Sequence, residues 1–197
     1  NFQRNFSTGE VEIEGGAIYH KTEYRERRTH FAFYSVNAKP DGFDTDRETF
    51  LGLHNNYDSP DTVMAGKSEN SVADGWSPIA SHRLNVELEP GASKTFIFVL
   101  GYVEMEDNKK WAGENGCAPA AKDLLQTNPA MRVINKEKAI ALQKRFETPA
   151  QVASAFDELQ KFWDGLLSNY TLKTGDEKLD RMAVWNQYQC IVTYNFA

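Results

Sequence analysis

Cysteine is scarce in this sequence: Cys117 and Cys190 are the only two, set far apart in segments of very different character. They form no disulfide framework and no metal-ligand spacing, which suits a reducing compartment. Nowhere do about 18 apolar residues run together, and no secretory leader pattern opens the chain. The expectation is a cytoplasmic protein without a membrane partner. A basic excess is missing too, since 28 Asp and Glu outnumber 22 Lys and Arg for a formal charge of -6. Nucleic-acid binders draw most of their affinity from neutralising phosphates. Here the one basic cluster, Arg25, Arg27 and Arg28, is interleaved with Glu23 and Glu26 and its field largely cancels. No nucleic-acid partner is expected.

Four histidines (His20, His30, His54, His82) are scattered without ligand spacing, and no metal site is expected. Asp41-Gly42-Phe43-Asp44-Thr45-Asp46 looks like a calcium loop but lacks the alternating acids and the closing Glu, so it reads as a solvated turn. No G-x-S-x-G, phosphate-binding loop or dinucleotide fingerprint occurs. No organic cofactor is expected.

What the sequence does have is aromatic residues, 12% of the chain, and period-2 patterning in its first half. Aromatic surplus suits a thick β core or a sugar-stacking surface. Val11 and Ile13 alternate with Glu10, Glu12 and Glu14 before Gly15-Gly16, a two-residue hairpin signal. That turn pairs Ile13 with Ile18 and Val11 with His20. Phe31 and Phe33 alternate with Ala32, Tyr34 and Val36, so this strand belongs in the middle of a sheet covered on both sides. Leu84, Val86 and Leu88, the turn Glu89-Pro90-Gly91-Ala92, and then Phe96, Phe98 and Leu100 read as a second hairpin. Lys39 to Ala80 reads as long loops with one or two short strands.

After Glu104 the period changes. Residues 105–131 hold Asn, Gly, Pro and Lys without a steady period and read as a connecting loop, with a short helix near Asp123-Leu124-Leu125. Ile134, Ala139, Leu142 and Phe146 fit one helix. Following Pro149, Val152, Phe156, Leu159, Phe162, Trp163, Leu166 and Leu167 form an amphipathic stripe. Thr174-Gly175-Asp176-Glu177 has the form of a capping box opening a third helix through Leu179, Met182, Trp185 and Tyr188. All strands first and all helices after argues separate layers, not βαβ units.

One segment carries candidate binding chemistry. Gln3-Arg4-Asn5 sets amide and guanidinium donors between Phe2 and Phe6, groups that suit sugar hydroxyls and a stacking face. An exposed strand-end arginine is the plainer reading of Arg4.

The wording of several segments is specific. Gln3-Arg4-Asn5, Gly9-Glu10-Val11-Glu12, Ile18-Tyr19-His20-Lys21-Thr22-Glu23-Tyr24-Arg25-Glu26-Arg27-Arg28 and Gly42-Phe43-Asp44-Thr45-Asp46-Arg47 resemble the inverting disaccharide phosphorylases of glycoside hydrolase family 94. So do Asn70-Ser71-Val72-Ala73, Gly75-Trp76, Leu100-Gly101-Tyr102, Gly175 to Met182 and Trp185 to Cys190. The wording lies nearest the cellobiose-phosphorylase branch.

This resemblance implies an internal stretch of a larger enzyme: β-rich followed by α, part of a large antiparallel β-sandwich, then linker helices and the first helix of an (α/α)6 barrel. Its implied domains are 1–104 for the sandwich, 105–131 for the connecting loop, 132–172 for the helical linker and 173–197 for the first barrel helix. The implied reaction is reversible phosphorolysis of cellobiose to α-glucose 1-phosphate and glucose, in a homodimer, with inorganic phosphate as co-substrate. By the same comparison the catalytic Asp and the phosphate site lie beyond Ala197, so the chain has no catalytic residue and is expected to be inactive alone. Arg4 then matches the arginine that holds the leaving sugar, with Gln3 and Asn5 beside it as weaker candidates. Two alternatives stay open: a relative acting on another β-linked disaccharide, and a non-catalytic carbohydrate-binding β-sandwich.

Overall fold

The computed structural model describes residues 8–21, 29–76, 78–106, 109–112 and 133–195. Two units divide at Thr148 and Pro149.

The first unit is built on an antiparallel sheet in which β1 (Thr8–Glu14), β2 (Ala17–Lys21), β3 (His30–Val36), β5 (Asp74–Trp76) and β7 (Phe98–Glu104) lie in the order β5-β1-β2-β3-β7. A second, two-stranded sheet pairs β4 (Gly42–Asp44) with β6 (Ser81–Arg83). Gly15 and Gly16 make the expected turn, with φ of 60° and 85°. Positive φ at both positions matches the strand twist and costs glycine nothing. The register follows: Ile13 faces Ile18 and Val11 faces His20.

Because side chains alternate, each strand feeds two cores. On one face Tyr19, Phe31, Phe33 and Val103 are buried with Met105, Ile134 and Ala139. The Ala139 contact brings in helix α3 (Glu137–Arg145), which packs on β7. On the other face Val11 and Ile18 are buried against Ala73, with Tyr34, Phe43 and Ala80 partly covered beside them. β3 therefore occupies the interior position its two apolar faces require, although Phe98, Leu100 and Tyr102 on the adjoining edge strand stay exposed.

The second hairpin takes another form. Its turn is present, with the Ala92 N–H donating to the Glu89 carbonyl and Gly91 at φ 83°. The flanks do not pair with each other. All seven residues of β7 pair with β3, while Ser81–Arg83 pairs with β4. Alternation gives a segment β propensity but leaves its partner to the rest of the sheet, and β3 offered a longer ladder. Two short helices, α1 (Arg47–Leu51) and α2 (Asp61–Ala65), also stand where loops were expected. Asp46 caps α1 by accepting from the Thr49 N–H at 2.7 Å. Asp44, fully buried, accepts from the Glu69 and Ser71 N–H groups and the Ser71 hydroxyl. The acids of the apparent calcium loop thus hold local backbone in place.

The second unit contains α4 (Pro149–Leu167) and α5 (Glu177–Asn195). Trp163 meets Tyr188 at a ring separation of 5.2 Å, while Phe156, Leu159, Phe162 and Trp185 remain exposed. The cap of α5 differs from a Thr174 capping box. Asp176 accepts from the Lys178 N–H, and Thr174 accepts from Asp176 while donating to Asp180. A carboxylate one residue before the helix serves the free N–H groups more directly than a threonine two residues further out. The short helix expected near Asp123-Leu124-Leu125 lies outside the described residues.

Candidate functional site

Gln3, Arg4 and Asn5 lie outside the described residues. The strand they lead into is described, and it begins at a distinctive end of the sheet. There β1 starts at Thr8 opposite Trp76, β2 finishes at Lys21, β3 starts at His30 and β7 finishes at Glu104. His30 bonds the Tyr102 hydroxyl through Nδ1, and its Nε2 lies 3.5 Å from Glu104. Imidazole, phenol and carboxylate therefore line one face of that end.

The strongest electrostatic feature sits on the other face. Glu12 accepts from Lys21 Nζ at 2.9 Å, from Lys136 Nζ at 2.7 Å and from the Ile134 N–H at 3.0 Å. Lys136 also reaches Glu14 at 2.9 Å and lies over the Tyr19 ring at 5.3 Å. Burial alone would pull the Lys136 ammonium down, but its hydrogen bonds to Glu12 and Glu14 outweigh that and hold its pKa above the ordinary value. Burial pushes the Tyr19 phenol up, against the bond its oxygen accepts from Gln143 Nε2. These groups fasten the segment entering α3 to β1. With each charge engaged, the cluster has no group poised for acid–base chemistry.

His20 and His82 lie on the opposite face. Burial lowers both imidazole pKa values, although His20 Nε2 donates to the Ile79 carbonyl at 3.4 Å. His82 stacks on Tyr34 at 5.0 Å. Among the described residues no group of three or more His, Cys, Asp or Glu side chains could hold a metal ion. None of the described helices is long and apolar enough to cross a membrane. Sequence reading missed Glu12, Lys21 and Lys136 as a cluster, since Lys136 is remote from its partners and buried lysine is uncommon.

Comparison with known proteins adds the context. Residues 1–149 match the family model for the glycosyl hydrolase 94 supersandwich domain, whose end coincides with the boundary between the two units. The chain is 23% identical over 91% of its length to an N,N'-diacetylchitobiose phosphorylase of Vibrio proteolyticus, covering 19% of that protein. A protein of the same name from Vibrio furnissii is 20% identical over 100% of the chain, covering 21% of its own length. A 3-O-beta-D-glucopyranosyl-beta-D-glucuronide phosphorylase of Paenibacillus borealis is 20% identical over 83% of the chain and 17% of its own. The chain spans about a fifth of the length of the curated relatives it matches. By its supersandwich domain, this chain belongs to glycosyl hydrolase family 94.

Proposed function

We propose that the chain is part of an inverting phosphorylase that converts a β-linked disaccharide and phosphate into a sugar 1-phosphate and a free sugar. The observation that carries this reading is the supersandwich match over residues 1–149, together with relatives that are named as phosphorylases. Cellobiose is the substrate we favour, giving α-glucose 1-phosphate and glucose, because the Gln3-Arg4-Asn5 and Tyr19 to Arg28 wording sits nearest that branch. The names of the relatives support the alternative, a different β-linked disaccharide such as N,N'-diacetylchitobiose.

In the reaction, a carboxylic acid outside this chain gives its proton to the glycosidic oxygen. A phosphate oxygen attacks the anomeric carbon from the opposite face, and the C–O bond to the leaving sugar breaks. Phosphate takes the place of the water that an inverting hydrolase would activate with a carboxylate base. Arg4 is proposed to orient the leaving sugar through paired hydrogen bonds to vicinal hydroxyls, without proton transfer. Residues 173–197 are proposed to open an (α/α)6 barrel, and residues 132–172 to link it to the sandwich. A homodimer in the cytoplasm is part of the same reading.

The test is an assay of the whole enzyme with phosphate and, separately, cellobiose, N,N'-diacetylchitobiose and 3-O-glucosyl-glucuronide. Glucose 1-phosphate formed fastest from cellobiose supports the favoured substrate. A preference for another disaccharide keeps the reaction and corrects the sugar. No sugar phosphate from any β-linked disaccharide overturns the proposal.

A further inference from the structure

At the opposite end of β1 from Thr8, the sheet and the C-terminal half of α3 enclose a cleft of about 380 Å³. Asn37 ties its walls together. The Asn37 N–H donates to the Ile97 carbonyl at 3.1 Å, its Oδ1 accepts from the Ile97 N–H at 2.9 Å, and its Nδ2 donates to the Glu147 carbonyl at 3.1 Å. One side chain therefore locks β3, the entry to β7 and the end of α3 into a fixed concave shape.

The lining combines an apolar floor with polar groups not consumed by the fold. Phe146 and Val99 supply ring and aliphatic surface. Ser35 is buried at 5% exposure yet borders the cleft. Lys39 and Glu147 stand at the rim, where neither side chain makes an ion pair among the described residues. The volume falls in the range of small-molecule sites. The charged side chains of the lining are of both signs, Lys39 and Lys144 against Glu147, and an ammonium, a carboxylate, a hydroxyl and a ring together match vicinal hydroxyls and the apolar face of a pyranose.

We propose that this cleft is a second carbohydrate site, taking one neutral pyranose unit. It lies about 20 Å along the sheet from the end where β1 begins, by strand rise. Only its choice of ligand class rests on the carbohydrate reading above.

The test is a backbone amide NMR titration of the whole enzyme, isotopically labelled only over these 197 residues, with glucose, cellobiose and, separately, inorganic phosphate. Saturable shifts are expected at Asn37, Lys39, Phe146 and Glu147 with either sugar and not with phosphate. Lys39→Ala and Glu147→Ala alter exposed side chains and leave the fold intact, so each should weaken sugar binding by roughly tenfold. Sugar shifts that are absent, that fall elsewhere, or that persist unchanged in both variants overturn the proposal, as does saturation by phosphate alone. Phosphorolysis by the whole enzyme without sugar shifts here sinks the cleft alone. Shifts here without phosphorolysis sink only the proposed reaction.

Discussion

Lys136 Nζ lies 2.7 Å from the Glu12 carboxylate, joining the first strand to the segment that enters α3. The two groups are far apart in sequence and almost removed from water, with side-chain exposures of 6% for Lys136 and 15% for Glu12. Replacing such a pair with apolar groups can be neutral, whereas deleting one partner strands the other charge. Glu12→Ala leaves two lysines and the Ile134 N–H without their shared acceptor. It should lower unfolding free energy by about 3–5 kcal/mol, read from urea denaturation midpoints at unchanged slope. A loss below about 1 kcal/mol, the size of a surface pair, would show that the cluster is solvated.

Stability should fall away on both sides of neutrality. His20 and His82 are held below 6.5 by burial, so the unfolded chain binds more protons as pH drops through that range. Their stabilising contribution is present above 6.5 and is lost in acid. Lys136 and Tyr19 are both raised, so their contributions hold below 10.5 and 10.0 respectively and are lost in strong alkali. Melting temperature against pH should show a plateau between these limits. A plateau running unchanged to well below 6.5, with His20 and His82 each replaced by Gln making no difference there, contradicts the histidine assignment.

Gly101 faces Phe33 across the β3–β7 ladder, and a Cβ there would lie 2.1 Å from the Phe33 ring. Phe33 is itself buried, so its ring has little room to retreat. Gly101→Ala should cost about 1–3 kcal/mol by overpacking. Phe33→Leu in the same chain should recover part of the loss, because the flat ring is the atom group in conflict. Independent, additive effects in a double-mutant cycle would argue against contact.

The Gly101 case shows where sequence reading stops. Gly15-Gly16 announced its hairpin because a two-residue loop demands positive φ at both positions, and glycine supplies it. The stripe from Val152 to Leu167 likewise announced α4, since three-and-four spacing is a property of one element. Partnering between distant elements carries no such mark. Leu84 to Leu88 alternated as a strand does, yet β7 was matched to β3. Nothing in the residues around Lys136 or Glu12 marks them as partners, and only the fold sets them side by side. Arg4 was singled out by neighbouring residue types and by family wording, neither of which places its side chain.

In the whole enzyme, Arg4→Ala should raise the KM for glucose in the synthetic direction by roughly tenfold or more, the worth of a charge-assisted hydrogen bond. Turnover should change less, as expected when uniform binding is lost. Arg4→Lys should rescue only partly, because an ammonium lacks the planar fork. Phosphate affinity in the degradative direction should hold. A folded Arg4→Ala enzyme with unchanged glucose KM retires the assignment.

The central claim is tested most directly by following cellobiose and phosphate with the whole enzyme by NMR, reading both the product and its anomeric configuration. The account predicts α-glucose 1-phosphate and free glucose in equal amounts, strictly dependent on phosphate, and none from the 197-residue chain alone. Glucose released without phosphate, a β-configured sugar phosphate, or no turnover of any β-linked disaccharide would contradict it.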